Sequence, residues 1–89
     1  MERKHIQVFG TVQGVGFRFY TQRLGNQHHV VGTVQNVEDY VDIYAQGEKE
    51  NLEAFINSVI AGASPASHVT NYQVEDLEID ESLTEFNTI

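Results

Sequence analysis

Gly14, Gly16 and Arg18 are the residues of this chain best placed to do chemistry. They lie in the run Val8-Phe9-Gly10-Thr11-Val12-Gln13-Gly14-Val15-Gly16-Phe17-Arg18. There an alternating, strand-like stretch over Ile6, Val8, Gly10 and Val12 gives way to a helix-like one. Two glycines at such a junction let the backbone curl so that successive N–H groups point inward, and the positive end of the helix adds to the pull on an anion. Arg18 contributes a planar, permanently charged fork that matches phosphate oxygens. The stretch reads as a phosphate-binding loop formed by Gly14, Val15, Gly16, Phe17 and Arg18. It is neither of the common nucleotide loops. No Lys-Ser or Lys-Thr occurs anywhere, as a Walker loop needs, and a dinucleotide loop would need a third glycine where Phe19 stands. On glycine spacing alone, a plain tight turn is the better reading of Gly14-Val15-Gly16; Arg18 at the helix start and the length of the pattern tip it towards a phosphate loop.

A chain of 89 residues is expected to form one domain over 1–89, because two cores do not fit in so short a length. It has no cysteine, which excludes disulfides, a thiolate nucleophile and thiolate metal ligands. His5, His28, His29 and His68 lack the spacing of a metal motif. No apolar signal or membrane-spanning run is visible, so a cytoplasmic location is expected. The net charge is −8 and lopsided. Residues 1–37 carry Arg3, Lys4, Arg18 and Arg23 against Glu2, while residues 38–89 carry Lys49 against twelve acids. Such acidity opposes nucleic acid or an anionic membrane as partner. An anionic small molecule would have to be drawn in by local charge, at the basic end of the chain.

The elements that must position the loop follow from periodicity. Residues 5–12 alternate as a strand, and Phe17, Tyr20 and Leu24 recur at helical spacing over 17–28. Residues 30–37 and 40–46 read as strands joined at Glu38-Asp39. Leu52, Phe55, Ile56, Val59 and Ile60 form the stripe of a helix packed on a core, with Gly62 just past its end. A strand with one irregularity is expected over 67–79, and a short edge strand at 86–89. The order β-α-β-β-α-β predicts an α+β, ferredoxin-like sandwich, with an antiparallel sheet and both helices on one of its faces.

On two motifs the whole chain resembles the acylphosphatase family, whose members have this fold. One is apolar-x-Gly-x-Val-Gln-Gly-Val-x-Phe-Arg, present without a gap from Val8 to Arg18. The other is Gly-aromatic-Val-Arg/Gln-Asn followed by a hairpin and a further glycine, here Gly32-Thr33-Val34-Gln35-Asn36 and Gly47. Thr33 replaces the usual aromatic residue, and the hairpin after Asn36 is a residue short and lacks its turn glycine.

The resemblance implies hydrolysis of acyl phosphates, with Arg18 and Asn36 as the catalytic residues and the 14–18 loop holding phosphate. The leaving group is a carboxylate whose conjugate acid has a pKa of about 4, so it departs without a general acid. Phosphoryl transfer then asks mainly for positioning and for stabilisation of the equatorial oxygens, which Arg18 and the loop N–H groups suit. The resemblance gives Asn36 the attacking water, which an amide can orient though it cannot act as a base. Read by itself, Asn36 would be a turn former beside the hairpin. No cofactor and no metal is expected, the partner is a small-molecule acyl phosphate, and the protein is expected to be a monomer. Two alternatives stand beside this reading. Phe9, Tyr40 and Tyr44 would lie on the open face of the sheet, as in a non-catalytic binding module. Acylphosphatase-like domains also occur within larger enzymes that handle carbamoyl phosphate.

Overall fold

The computed structural model describes every residue from Met1 to Ile89. In chain order the elements are β1 (Glu2–Thr11), α1 (Phe17–Gln27), β2 (Val31–Val37), β3 (Tyr40–Gly47), α2 (Lys49–Ile60), β4 (His68–Leu77) and β5 (Phe86–Thr88). The sheet order is β4-β1-β3-β2-β5. The first four strands pair antiparallel, as expected. The fifth runs parallel to β2, which makes the whole sheet mixed. Its direction follows from the route of the chain, which leaves β4 at one edge and crosses to the other. Gln46, 4% exposed, holds this crossing. Its amide N–H donates to the Asp80 carbonyl at 3.1 Å, and its oxygen accepts from the Asp80 N–H at 2.8 Å.

Period-two alternation puts Ile6 and Val8 of β1, Val34 of β2, and Val41, Ile43 and Ala45 of β3 on one face, all buried. Leu52, Phe55, Ile56 and Val59 of α2 close over them, as their helical spacing predicts. Burial of each large side chain contributes about 1.5–3 kcal/mol. No helix is long and apolar enough to cross a membrane.

Helix α1 departs from its expected stripe. Phe17, Thr21 and Gly25 are buried, whereas Tyr20 and Leu24 are only half-buried. The cause is β5, whose Phe86 packs directly against Gly25. A Cβ on Gly25 would lie 2.6 Å from the Phe86 ring. Along β4 the expected irregularity appears where Asn71 faces Phe9 and Val69 faces Gly10, leaving Thr70 as the extra residue. Tyr72 and Val74 lie across from Val8 and Ile6, yet they are 48% and 42% exposed, since β4 forms the sheet edge. The strand also stops at Leu77, short of residue 79.

Candidate active site

The turn between β1 and α1 is built by two glycines in the left-handed region. Gly14 has φ 73°, and Gly16, the N-cap of α1, has φ 76° and ψ 16°. A side chain at either position would be strained. Phe17 starts the helix with its ring 1% exposed, which anchors the turn to the core. Immediately after it comes Arg18, exposed to solvent. The first N–H groups of a helix have no partner within it. At α1 they meet no competing carboxylate, because the first turn holds no acid.

These groups open onto a cavity of about 350 Å³ lined by Gly14, Gly16, Phe17, Arg18 and, from the far strand, Asn36. Arg18 is the only charged residue on its wall. Asn36 stands exposed near the end of β2, opposite Val41 and hence on the helix side of the sheet. Strand β3 separates β1 from β2, so the loop and Asn36 come from strands that are not neighbours. Of the residues expected to bind phosphate, Val15 alone does not line the cavity; its half-buried side chain packs against the core. It could contribute only through its main chain.

Reasoning from sequence missed several wall residues. Gln13, Phe19, Gln22 and Thr88 also border the cavity. Gln22 lies one helical turn beyond Arg18, a spacing that could have pointed to it. Thr88 reaches the site on β5 and donates its hydroxyl hydrogen to the Gln22 side-chain oxygen. Ile89 follows, and its main-chain oxygen accepts a hydrogen bond from Arg18 Nη1 at 3.1 Å. Nothing in the local sequence marks Thr88 or Ile89.

The groups with perturbed protonation lie elsewhere. A hydrogen bond to Asp76 pushes the Lys4 ammonium above its ordinary value, at the β1–β4 edge. Hydrogen bonds from Ser82 hold Asp80 below the usual carboxylate value. No group of three or more His, Asp or Glu side chains is arranged to hold a metal ion. On the open face, opposite the helices, Phe9 and Tyr40 pack at 5.2 Å, and Tyr44 stacks on His5 at 4.4 Å. These aromatics are half-buried against neighbours on the sheet.

The sequence profile of the acylphosphatase family matches residues 4–88. The chain belongs to the acylphosphatase family. It is 62% identical to an acylphosphatase of Staphylococcus haemolyticus (strain JCSC1435) over 89 residues, covering all of both chains. Among solved structures, an acylphosphatase from Bacillus subtilis superposes with a TM-score of 0.94 at 36% identity, over 100% of this chain and 99% of that one. The chain also matches 12% of full-length HypF, solved in a phosphate- and nucleotide-bound form, with a TM-score of 0.91 and 30% identity. The activity of the family is hydrolysis of acyl phosphates.

Proposed function

We propose that the protein splits acyl phosphates into carboxylate and inorganic phosphate, using Arg18 and Asn36 as its catalytic residues and residues 14–18 as its phosphate cradle. The observation that carries this reading is the cavity itself. It gathers Gly14, Gly16, Arg18 and Asn36 around one space, and no Asp or Glu side chain lines its wall. A phosphoryl group fits there with its equatorial oxygens on the loop N–H groups and on the Arg18 fork. One Arg18 donor is engaged by Ile89, which leaves the others of the guanidinium for the anion.

In this scheme Asn36 holds a water in line with the acyl leaving group. The water oxygen forms a bond to phosphorus as the bond from phosphorus to the acyl oxygen breaks. The electron pair of that bond leaves with the carboxylate, and the water proton passes to a phosphoryl oxygen. The carboxylate needs no proton, so the scheme contains no general acid. Charge on the phosphoryl oxygens is met by the guanidinium and the N–H groups, so it requires no metal ion either. The net charge of −8 supports a small-molecule substrate over nucleic acid, whose many phosphates it would repel.

Turnover of benzoyl phosphate in isotopically labelled water tests the bond assignment. Label should appear in inorganic phosphate. Label in benzoate would mean attack at the acyl carbon, which contradicts a water held against phosphorus.

A further inference from the structure

We propose that Gln13 is a positioning residue, whose amide ties the turn of the β2–β3 hairpin to the phosphate loop and thereby sets the distance between Asn36 and the cradle. This inference rests on the functional reading above. Gln13 directly precedes Gly14, and its Nε2 donates to two main-chain oxygens, those of Glu38 and Tyr40, each at 2.9 Å. A primary amide has two hydrogens on nitrogen, and these two bonds use both of them. The two acceptors flank Asp39, so the amide clasps the hairpin at its tip. Asn36 is two residues before Glu38 on the same hairpin.

The topology gives this clasp its importance. The phosphate loop leaves the end of β1, Asn36 stands on β2, and β3 runs between them. No ladder of sheet hydrogen bonds joins the two halves of the site directly. The Gln13 side chain crosses that gap, bridging from the loop side to the turn that closes β2 against β3. The turn it grips is also under strain. Only Glu38 and Asp39 separate the paired residues Val37 and Tyr40, and Glu38 sits at φ 52° with no glycine to ease it. A strained residue keeps such a conformation only where its surroundings hold it there. Gln13 holds the carbonyl of that very residue.

A purely structural clasp and a positioning one make different kinetic predictions. Gln13→Met keeps the side-chain length and removes both donors. We expect its kcat on benzoyl phosphate to fall by roughly 10- to 100-fold, the size of loss that follows small misplacements of reacting groups. The inhibition constant for inorganic phosphate should stay within about twofold of the wild-type value, because Arg18 and the loop N–H groups remain. In an Asn36→Ala background, Gln13→Met should lower kcat no further, since the group it positions is gone. Adding Glu38→Gly removes the backbone strain, keeps the variant folded, and should leave kcat low. An unchanged kcat in Gln13→Met, full additivity with Asn36→Ala, or recovery of kcat by Glu38→Gly would each overturn the inference. A wild type inert on benzoyl phosphate would overturn the functional reading as well, whereas an active wild type with an equally active Gln13→Met overturns this inference alone.

Discussion

Ile89 joins the two halves of the cavity through its main chain. Its main-chain oxygen accepts from Arg18 Nη1 at 3.1 Å, while its N–H donates to the Val34 carbonyl at 2.9 Å. Val34 lies two residues before Asn36 on β2. One residue therefore braces the guanidinium of α1 against the strand that bears the amide. Removing residues 87–89 should leave the core elements in place and release Arg18 to sample other rotamers. The expected result is a fall in kcat on benzoyl phosphate of about 10-fold or more, with far-UV circular dichroism close to that of the full chain. Retention of full activity would mean that Arg18 needs no brace.

Gly16 gives the proposed cradle its left-handed turn at the start of α1. At φ 76° an alanine there costs about 1–2 kcal/mol. Space is not the obstacle, because a Cβ would meet only the Tyr20 ring, at 3.7 Å. Gly16→Ala should therefore lower thermal stability modestly and weaken inhibition by inorganic phosphate together. Thermal melts and phosphate inhibition read the two effects separately, and a loss of stability without weaker phosphate inhibition would argue that the left-handed turn serves folding alone.

Gly25 presents the opposite case, since its problem is space. Alanine there would place a Cβ 2.6 Å from the Phe86 ring, which must move and take β5 with it. Overpacking of this kind costs about 1–3 kcal/mol. In a domain of this size each kcal/mol lowers Tm by roughly 4–8 °C. Because β5 leads to Ile89, kcat should fall as well. A Gly25→Ala variant with wild-type Tm would show that α1 and β5 have slack the packing does not suggest.

Acid stability should depend on Ser82. Its hydroxyl and its N–H both donate to Asp80 Oδ1, at 2.6 and 3.0 Å, and hold that carboxyl below its ordinary value of 3.8. A carboxyl whose value is lowered on folding adds stability above the unfolded value, and that stability is lost as pH falls through the lowered one. Ser82→Ala should then be less stable than wild type near neutral pH, and the difference should shrink as pH drops below 3.8. Denaturant midpoints measured across that range check the sign. A difference that grew towards low pH would contradict it.

Much of this site is legible in the chain because its parts are local. Gly14, Gly16 and Arg18 suggest the proposed cradle through backbone freedom and charge within a few residues, and the α2 stripe from Leu52 to Val59 follows helical period without exception. What the sequence hides comes from strand β5. Three residues of modest pattern, Phe86 to Thr88, rotate the buried face of α1 from Tyr20 and Leu24 towards Thr21 and Gly25. They also bring Thr88 to the cavity and Ile89 to Arg18. Gln13 was within view as part of a motif, but its role depends on two carbonyl groups some twenty-five residues away. Long-range contacts of that sort leave no period to read. Asn36 is intermediate. Its residue type and its place at a strand end suit a turn as well as a site, and only the fold puts it on the wall of the cavity that Arg18 also lines.

The most direct test is hydrolysis of benzoyl phosphate by wild type, Arg18→Ala and Asn36→Ala, with EDTA present throughout. Wild type should turn over in the chelator, and each variant should lose about 100-fold or more in kcat, the scale of removing one transition-state contact, with both still folded by circular dichroism. Loss of wild-type turnover in EDTA, restored by added magnesium, would contradict the metal-free cradle. Full activity in either folded variant would contradict the role given to that residue.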